Sequence, residues 1–257
     1  MRLAKRAFYV FALPATLVLL WWLLTLGSDS FWVPKPGKLV TTFWEVWVGP
    51  RWASDVVPSL VRLVIGLTVA IVLGILMGLA IGSSVLLRRL SEPVLEFFRA
   101  LPPPILIPVL MVLVGVNDTM KVLVIISGCI WPVLLNTIEG VRSVDQVLQD
   151  TARVYGITGR SKFTMLTLPA TSPYYVAGIR QALSLGLILM VISEMFGSSS
   201  GLGFTIVQFQ RMFAVTEMWS GIVMLGLIGV ALAAAFALVE KRVLAWYYGL
   251  KEVEHSE

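Results

Sequence analysis

Few side chains in this sequence could carry chemistry, and one of them stands where charge is costly. Glu194 lies near the end of an apolar run, Tyr174 to Phe196, whose other charge is Arg180 near its start. An ionisable group at the centre of a membrane span costs about 3 kcal/mol or more, so its presence marks a functional site. Two roles stay open for Glu194: lining a polar pathway, or sitting at the outer interface and capping the loop Ser198-Ser199-Ser200-Gly201-Leu202-Gly203. Asn136, Thr137, Ser184 and Ser193 could line the same route or serve as hydrogen bonds between helices. The run Arg99-Ala100-Leu101-Pro102-Pro103-Pro104, with Pro108 beyond, interrupts backbone hydrogen bonding. Broken backbone survives in a bilayer only when protein or water covers it, so Pro103 joins the pathway candidates, beside a plain Pro-started helix.

No catalytic constellation accompanies them. The sequence holds no GxxxxGK[ST], HExxH, CxxC or GxSxG pattern. The fragment Gly156-Ile157-Thr158-Gly159-Arg160-Ser161-Lys162 lacks phosphate-loop spacing, and no apolar strand precedes it. Cys129 reads as a packing residue, and the sole histidine, His255, lies in an acidic tail. No metal, no bound cofactor and no ATP hydrolysis are expected of this chain.

These residues are set in a very apolar frame. Of 257 residues, 58% are hydrophobic and 14% charged, against about 25% charged in soluble domains; the mean hydropathy is +0.88. Disorder and a disulfide scaffold are both excluded, the latter by a single cysteine. Charge-free runs place the spans, because about 20 apolar residues are needed to cross the hydrocarbon core. The pattern predicts six helices in one domain, 1–257: about 7–26, 60–84, 94–116, 120–138, 174–196 and 218–240. The first is expected to be a retained anchor, its apolar run being longer than a signal peptide's. Thirteen Lys/Arg, from Arg2, Lys5 and Arg6 through Arg88, Arg142 and Lys162 to Lys251, fall on one side, and five on the other. Arg62 and Arg180 are assigned to helix ends and left uncounted. The bias puts both termini in the cytoplasm, and no basic patch with interleaved aromatics suggests nucleic acid.

Gly74, Gly78 and Gly82 recur every fourth residue, which lets two backbones approach within a bundle or a dimer. Outside, Leu39, Phe43, Val46 and Trp47 fall at helical spacing, so segment 36–50 is expected to be an amphipathic helix in the interface or a docking surface. The cytoplasmic connection 139–173 reads as helix, glycine break at Gly156 and Gly159, a second stretch Ser161–Leu168, and a stop at Pro169. The outer segment after Gly203 turns apolar at Phe204, Ile206, Val207 and Phe209, as an interfacial or re-entrant piece.

Within 139–173 the order is Asp150-Thr151-Ala152, three residues, Gly156, nine residues, then Leu166-Thr167-Leu168-Pro169. This resembles the EAA loop of ATP-binding-cassette importer permeases: Glu-Ala-Ala, three residues, Gly, nine residues, Ile-x-Leu-Pro. Asp150, Thr151 and Leu166 depart from it mildly. Phe31 to Lys38, Arg99 to Pro104, Asn136 to Asp145 and Glu194 to Gly203 are similar to the taurine, alkanesulfonate and nitrate branch, and the resemblance spans roughly 30–245.

The resemblance implies an all-α integral membrane protein of the type I importer permease fold, in a bacterial inner membrane. It also implies a second copy of the chain, two ATPase subunits that carry ATP and Mg, and a periplasmic or lipid-anchored substrate-binding protein. Asp150, Thr151, Ala152, Gly156, Arg160, Phe163, Leu166, Leu168 and Pro169 are then the coupling residues, and alternating access the mechanism for a small, polar, anionic solute such as a sulfonate or nitrate. Two other classes stay open: an ion-coupled secondary transporter using Glu194, which calls for an inverted repeat, and a non-transporting membrane scaffold.

Overall fold

The computed structural model describes residues 2–27, 30–49 and 51–254, with side chains described between 12 and 249. His255, Ser28, Asp29 and Pro50 lie outside the described residues; Arg2, Lys5, Arg6 and Lys251 are described by backbone alone. In chain order the helices are α1 (Arg2–Leu26), α2 (Pro36–Trp47), α3 (Val57–Ser83), α4 (Val85–Ala100), α5 (Leu106–Val114), α6 (Asp118–Arg142), α7 (Gln146–Val154), α8 (Gly159–Lys162), α9 (Leu168–Met195), α10 (Leu202–Arg211), α11 (Val215–Val243) and α12 (Ala245–Glu254). No strand occurs among the described residues.

The core is α3, α6 and α9 laid side by side, and glycines set how closely they lie. A Cβ at Gly66, Gly74, Gly78 or Gly82 would stand 2.5–2.9 Å from Ile125, Val133, Thr137 or Val141 on α6. The same offset of 59 residues holds at all four, so one face of α3 runs along one face of α6 for nearly five turns. The glycine stripe is thus consumed inside the chain. Its fourth member, Gly66, continues the expected trio by two turns, with Ala70 between. On the other side of α6, a Cβ at Gly178 would meet the Pro132 carbonyl at 2.6 Å, which draws α9 in as closely.

Four helices are long and apolar enough to cross a membrane: Trp52–Ser83, Asp118–Arg142, Gly159–Met195 and Val215–Val243. Two of them begin earlier than expected, for one physical reason. Proline lacks an N–H and its ring collides with the carbonyl four residues back, so Pro58 and Pro169 read as boundaries. In each case a five-residue π turn comes just before, Trp52–Val56 and Phe163–Thr167. The widened turn removes the collision and lets the helix run through. Pro169 is therefore no stop; it lies in the first turn of α9, within one helix that starts at Gly159.

The expected span 94–116 is also recast. The proline run splits it into α4 and α5, joined by a 3₁₀ turn Pro103–Ile105 and bent by 81°. No residue of α4 is buried. Its apolar face, Leu86, Leu87, Leu90, Val94 and Phe97, is exposed, while Phe98 stacks on Trp131 of α6. Segment 36–50 folds as α2, but its buried face packs inward on α11: Trp47 is fully buried and its indole N–H donates to Ser220 Oγ at 2.9 Å. In α1 the described side chains are exposed or half-buried except Thr25.

Candidate functional site

At one end of the bundle, three elements bring six charges together. Arg62 on α3 is buried, not at a helix end, because α3 continues the helix begun at Trp52. Its guanidinium donates to Glu194 Oε1 at 2.7 Å and to Asp118 Oδ1 at 2.9 Å. It also donates to the Ser200 carbonyl and hydroxyl, both at 3.2 Å. Lys121, buried as well, joins Asp118 at 3.2 Å. Arg51 reaches Asp55 at 3.4 Å and stacks over the Phe209 ring at 5.0 Å. Three cations face three carboxylates, so the cluster is close to neutral, which is what lets Glu194 be 0% exposed.

The cluster closes on the loop 198–203. Gly203 N–H donates to Glu194 Oε2 at 3.0 Å, Gly201 N–H to Asp55 Oδ1 at 3.1 Å, and Leu202 N–H to Ser59 Oγ at 2.9 Å. The Ser59 hydroxyl in turn lies 2.7 Å from Glu194 Oε1. These are the free donors at the start of α10, and carboxylates at a helix N-terminus satisfy both the hydrogen bonds and the helix dipole. Gly201 has φ +120°, and a Cβ there would sit 2.5 Å from the Glu194 carboxyl. Of the two roles open to Glu194, this geometry gives it the loop cap. Asp55, Ser59, Arg62, Asp118 and Lys121 escaped sequence reading; an Arg within an apolar helix was the available signal.

The other pathway candidates are dispersed. Asn136 Nδ2 donates to Pro132 O, Thr137 Oγ1 to Val133 O and Ser193 Oγ to Met190 O, so these three bond within their own helices, not between helices. Pro103 packs near Gly128 of α6. Ser184 is exposed, in a groove of about 480 Å³ between α9 and α11. Arg180 lies in the same groove, paired with Glu240 of α11, to which Tyr248 also donates.

At the other end of α9, the loop is the opposite of this cluster. Asp145 caps α7 by accepting from Val147 N–H at 2.6 Å. The helix ends in a glycine cap: Gly156 has φ +69° and Ile157 N–H reaches back to Ala152 O at 2.8 Å. That bond places the glycine of the motif where a left-handed turn is required. Ala152 is buried, whereas Asp150, Thr151, Arg160 and Phe163 are exposed and Leu166, Leu168 and Pro169 half-buried. Asp150 pairs with Arg153 of its own helix at 3.0 Å. Val154, Tyr155 and Met165 are 84%, 78% and 73% exposed, apolar side chains left without cover.

Known proteins resemble this chain in sequence and in fold. Residues 70–245 match the family model described as binding-protein-dependent transport system inner membrane component. The putative aliphatic sulfonates transport permease protein SsuC of Escherichia coli (strain K12) is 30% identical, covering 93% of each chain. The nitrate import permease protein NrtB of Leptolyngbya laminosa is 28% identical over 88% of this chain and 83% of its own. A structure of the MetNI methionine ABC transporter in an inward-facing conformation superposes with TM-score 0.57 at 19% identity, covering 80% of this chain and 96% of that one; at that identity the likeness concerns the fold. With the family model spanning more than half the residues, the chain belongs to the binding-protein-dependent transport system inner membrane components, as the membrane-embedded permease subunit of an ATP-binding-cassette importer.

Proposed function

We propose that this permease works as a homodimer that passes a small anion, of the sulfonate or nitrate class, inward by alternating access. The relatives that carry those substrates in their names support the class. Loop 139–173 docks into a groove on each of two ATPase subunits, which hold the ATP and Mg. A substrate-binding protein delivers cargo at the Glu194 end. Both termini and the loop face the cytoplasm, in keeping with the bias of basic residues.

One observation carries the mechanism: the exposed loop and the buried cluster share a helix. Gly159–Met195 is continuous for 37 residues, about 55 Å at 1.5 Å per residue. A displacement imposed on Phe163 by a closing ATPase is therefore delivered at Glu194 by a rigid rod. There it acts on bonds that hold loop 198–203 and α10. ATP shifts the equilibrium only through a difference in affinity for the two arrangements, and a rod tying the docking face to the outer cap supplies that difference.

The test is uptake of labelled sulfonate or nitrate into proteoliposomes holding the permease, its ATPase and its binding protein. Gly156→Asp is expected to abolish ATP-driven uptake while the permease stays inserted. Normal uptake and normal ATP coupling in that variant would overturn the lever. The sole cysteine, Cys129, is buried, so Ser161→Cys and Ser199→Cys report topology cleanly with an impermeant maleimide. Labelling of Ser161→Cys from the periplasm would reverse the orientation.

A further inference from the structure

A charged hollow lies away from both the rod's outer cap and the dispersed pathway candidates. It has about 580 Å³ of space, where the ends of α3 and α6 meet the start of α8, and none of its lining residues is acidic. Three cations reach it from three elements: Arg88 of α4, Arg142 of α6 and Lys162 of α8. Ser83, Gln149 and Thr167 add neutral donors. Part of this charge is already answered. The C-termini of α3 and α6 together present about one negative charge, and Glu139 pairs with Arg142 at 3.2 Å. About one full positive charge remains. At the lip, the helix Gly159–Met195 begins without a side-chain cap on its N-cap residue, Thr158, which adds to the same sign.

A second, independent observation says what kind of anion can come there. Helix α4 buries none of its residues and keeps its apolar face open, with Arg88, Arg89, Ser91, Glu92, Glu96 and Arg99 as its polar residues. The helix runs from Arg88, beside Arg142 at the end of α6, to Phe98, which stacks on Trp131 midway along α6, so its first turns stand at the membrane interface with their charges at the headgroup level and their apolar side chains toward the acyl region. Arg88 is therefore held at the depth of lipid phosphates. Basic hollows between helices at the cytoplasmic leaflet suit anionic headgroups.

We infer that the hollow between Arg88, Arg142 and Lys162 is a phosphate site, filled by the headgroup of an anionic phospholipid. The headgroup bridges α4 to the base of the coupling loop, since Gln149 and Phe163 line the same space. The inference rests on the loop side of the protein facing the anionic leaflet, as proposed above.

The experiment uses the full-length permease in nanodiscs of phosphatidylcholine with or without phosphatidylglycerol. Co-purifying lipid is counted by native mass spectrometry, and inorganic phosphate is titrated into the phosphatidylcholine discs. Both leaflets of a disc carry the lipid, so the result does not depend on orientation, which the maleimide labelling tests separately. Wild type is expected to retain phosphatidylglycerol over phosphatidylcholine. The Arg88→Gln/Arg142→Gln/Lys162→Gln variant is expected to lose that preference by about a hundredfold, at roughly fivefold per cation. An Arg89→Gln/Arg99→Gln/Lys241→Gln control removes as much charge outside the hollow and is expected to lose much less of it; an equal loss in the two variants overturns the site. Should the hollow variant misfold, the single change Lys162→Gln is expected to lower retention several-fold by itself. Equal retention in wild type, hollow variant and control overturns the site. Binding of inorganic phosphate in place of lipid overturns the headgroup as its occupant.

Discussion

The two ends of the helix Gly159–Met195 solve opposite problems with similar residue types. At the Glu194 end each of the six clustered charges finds its partner inside the chain, and three backbone N–H groups of the loop are met by Glu194, Asp55 and Ser59. At the Gly159 end Val154, Tyr155 and Met165 are open, and Asp150 has only its own helix to pair with. One end is finished by folding; the other keeps apolar side chains open, as the proposed docking requires. The contrast teaches what each region's contacts depend on: the first is complementary to itself, whereas the second presents apolar surface that the chain alone does not cover. A glycine with positive φ sits in both, Gly201 at +120° and Gly156 at +69°, and their surroundings differ.

The largest expected difference between them comes from Arg62→Ala. It strands Glu194, and breaking one partner of a buried pair costs about 3–5 kcal/mol. Thermal unfolding of the purified permease in detergent reads this as a large fall in Tm. Adding Glu194→Ala is expected to recover part of it, and a double variant no better than the single one would mean that the pair is not coupled. Next comes Gly201→Ala. Its backbone, φ +120° and ψ 162°, lies in a region only glycine populates, at about 1–3 kcal/mol. The new methyl also meets the Glu194 carboxyl, so a total of about 3 kcal/mol or more is expected. A Gly201→Ala protein as stable as wild type would remove the claim that the loop is clamped.

The loop was legible because its signal is a spacing. Gly156 ends α7 by a left-handed cap, and that geometry demands glycine at one position whatever surrounds it. The buried cluster was not legible, since it joins residues far apart in the chain: Arg62 and Glu194 are 132 positions apart. Glu194 was visible as a charge in an apolar run, but its partner looked like a boundary marker. The same bias hid the helix starts. Pro58 and Pro169 read as breaks, and nothing in composition announces that a π turn will absorb a proline. The expected segment 94–116 differs for the reverse reason: hydrophobicity alone cannot distinguish one straight helix from α4 and α5 meeting at 81°. The glycine stripe was read with the right purpose, yet its partner, α6, emerges only from the 59-residue register.

Gly156→Ala is the matched counterpart of Gly201→Ala and should cost much less. No atom lies within 4 Å of the added methyl, so only the left-handed backbone is penalised, by about 1 kcal/mol. A loss equal to that of Gly201→Ala would mean that the loop is packed in the isolated chain, and the contrast between the two ends would fall.

The smallest effect on stability, and the most telling, is expected from Val154→Ser with Tyr155→Ser. Both side chains are exposed, and surface changes usually stay within about 0.5 kcal/mol. In the isolated permease Tm is therefore expected to stay close to wild type. In the assembled importer the same two changes remove apolar area that only a docked subunit can bury, at about 25 cal/mol per Å². ATP-driven uptake and co-purification of the ATPase should fall together, while the helices remain inserted. A fall in Tm without loss of assembly would reverse the assignment, making these residues part of the fold. Unchanged assembly and unchanged Tm would show that the ATPase is held by other parts of 139–173. Stability and assembly are thus expected to respond to different ends of one helix, because the Glu194 end completes its contacts within the chain and the loop end leaves apolar surface open.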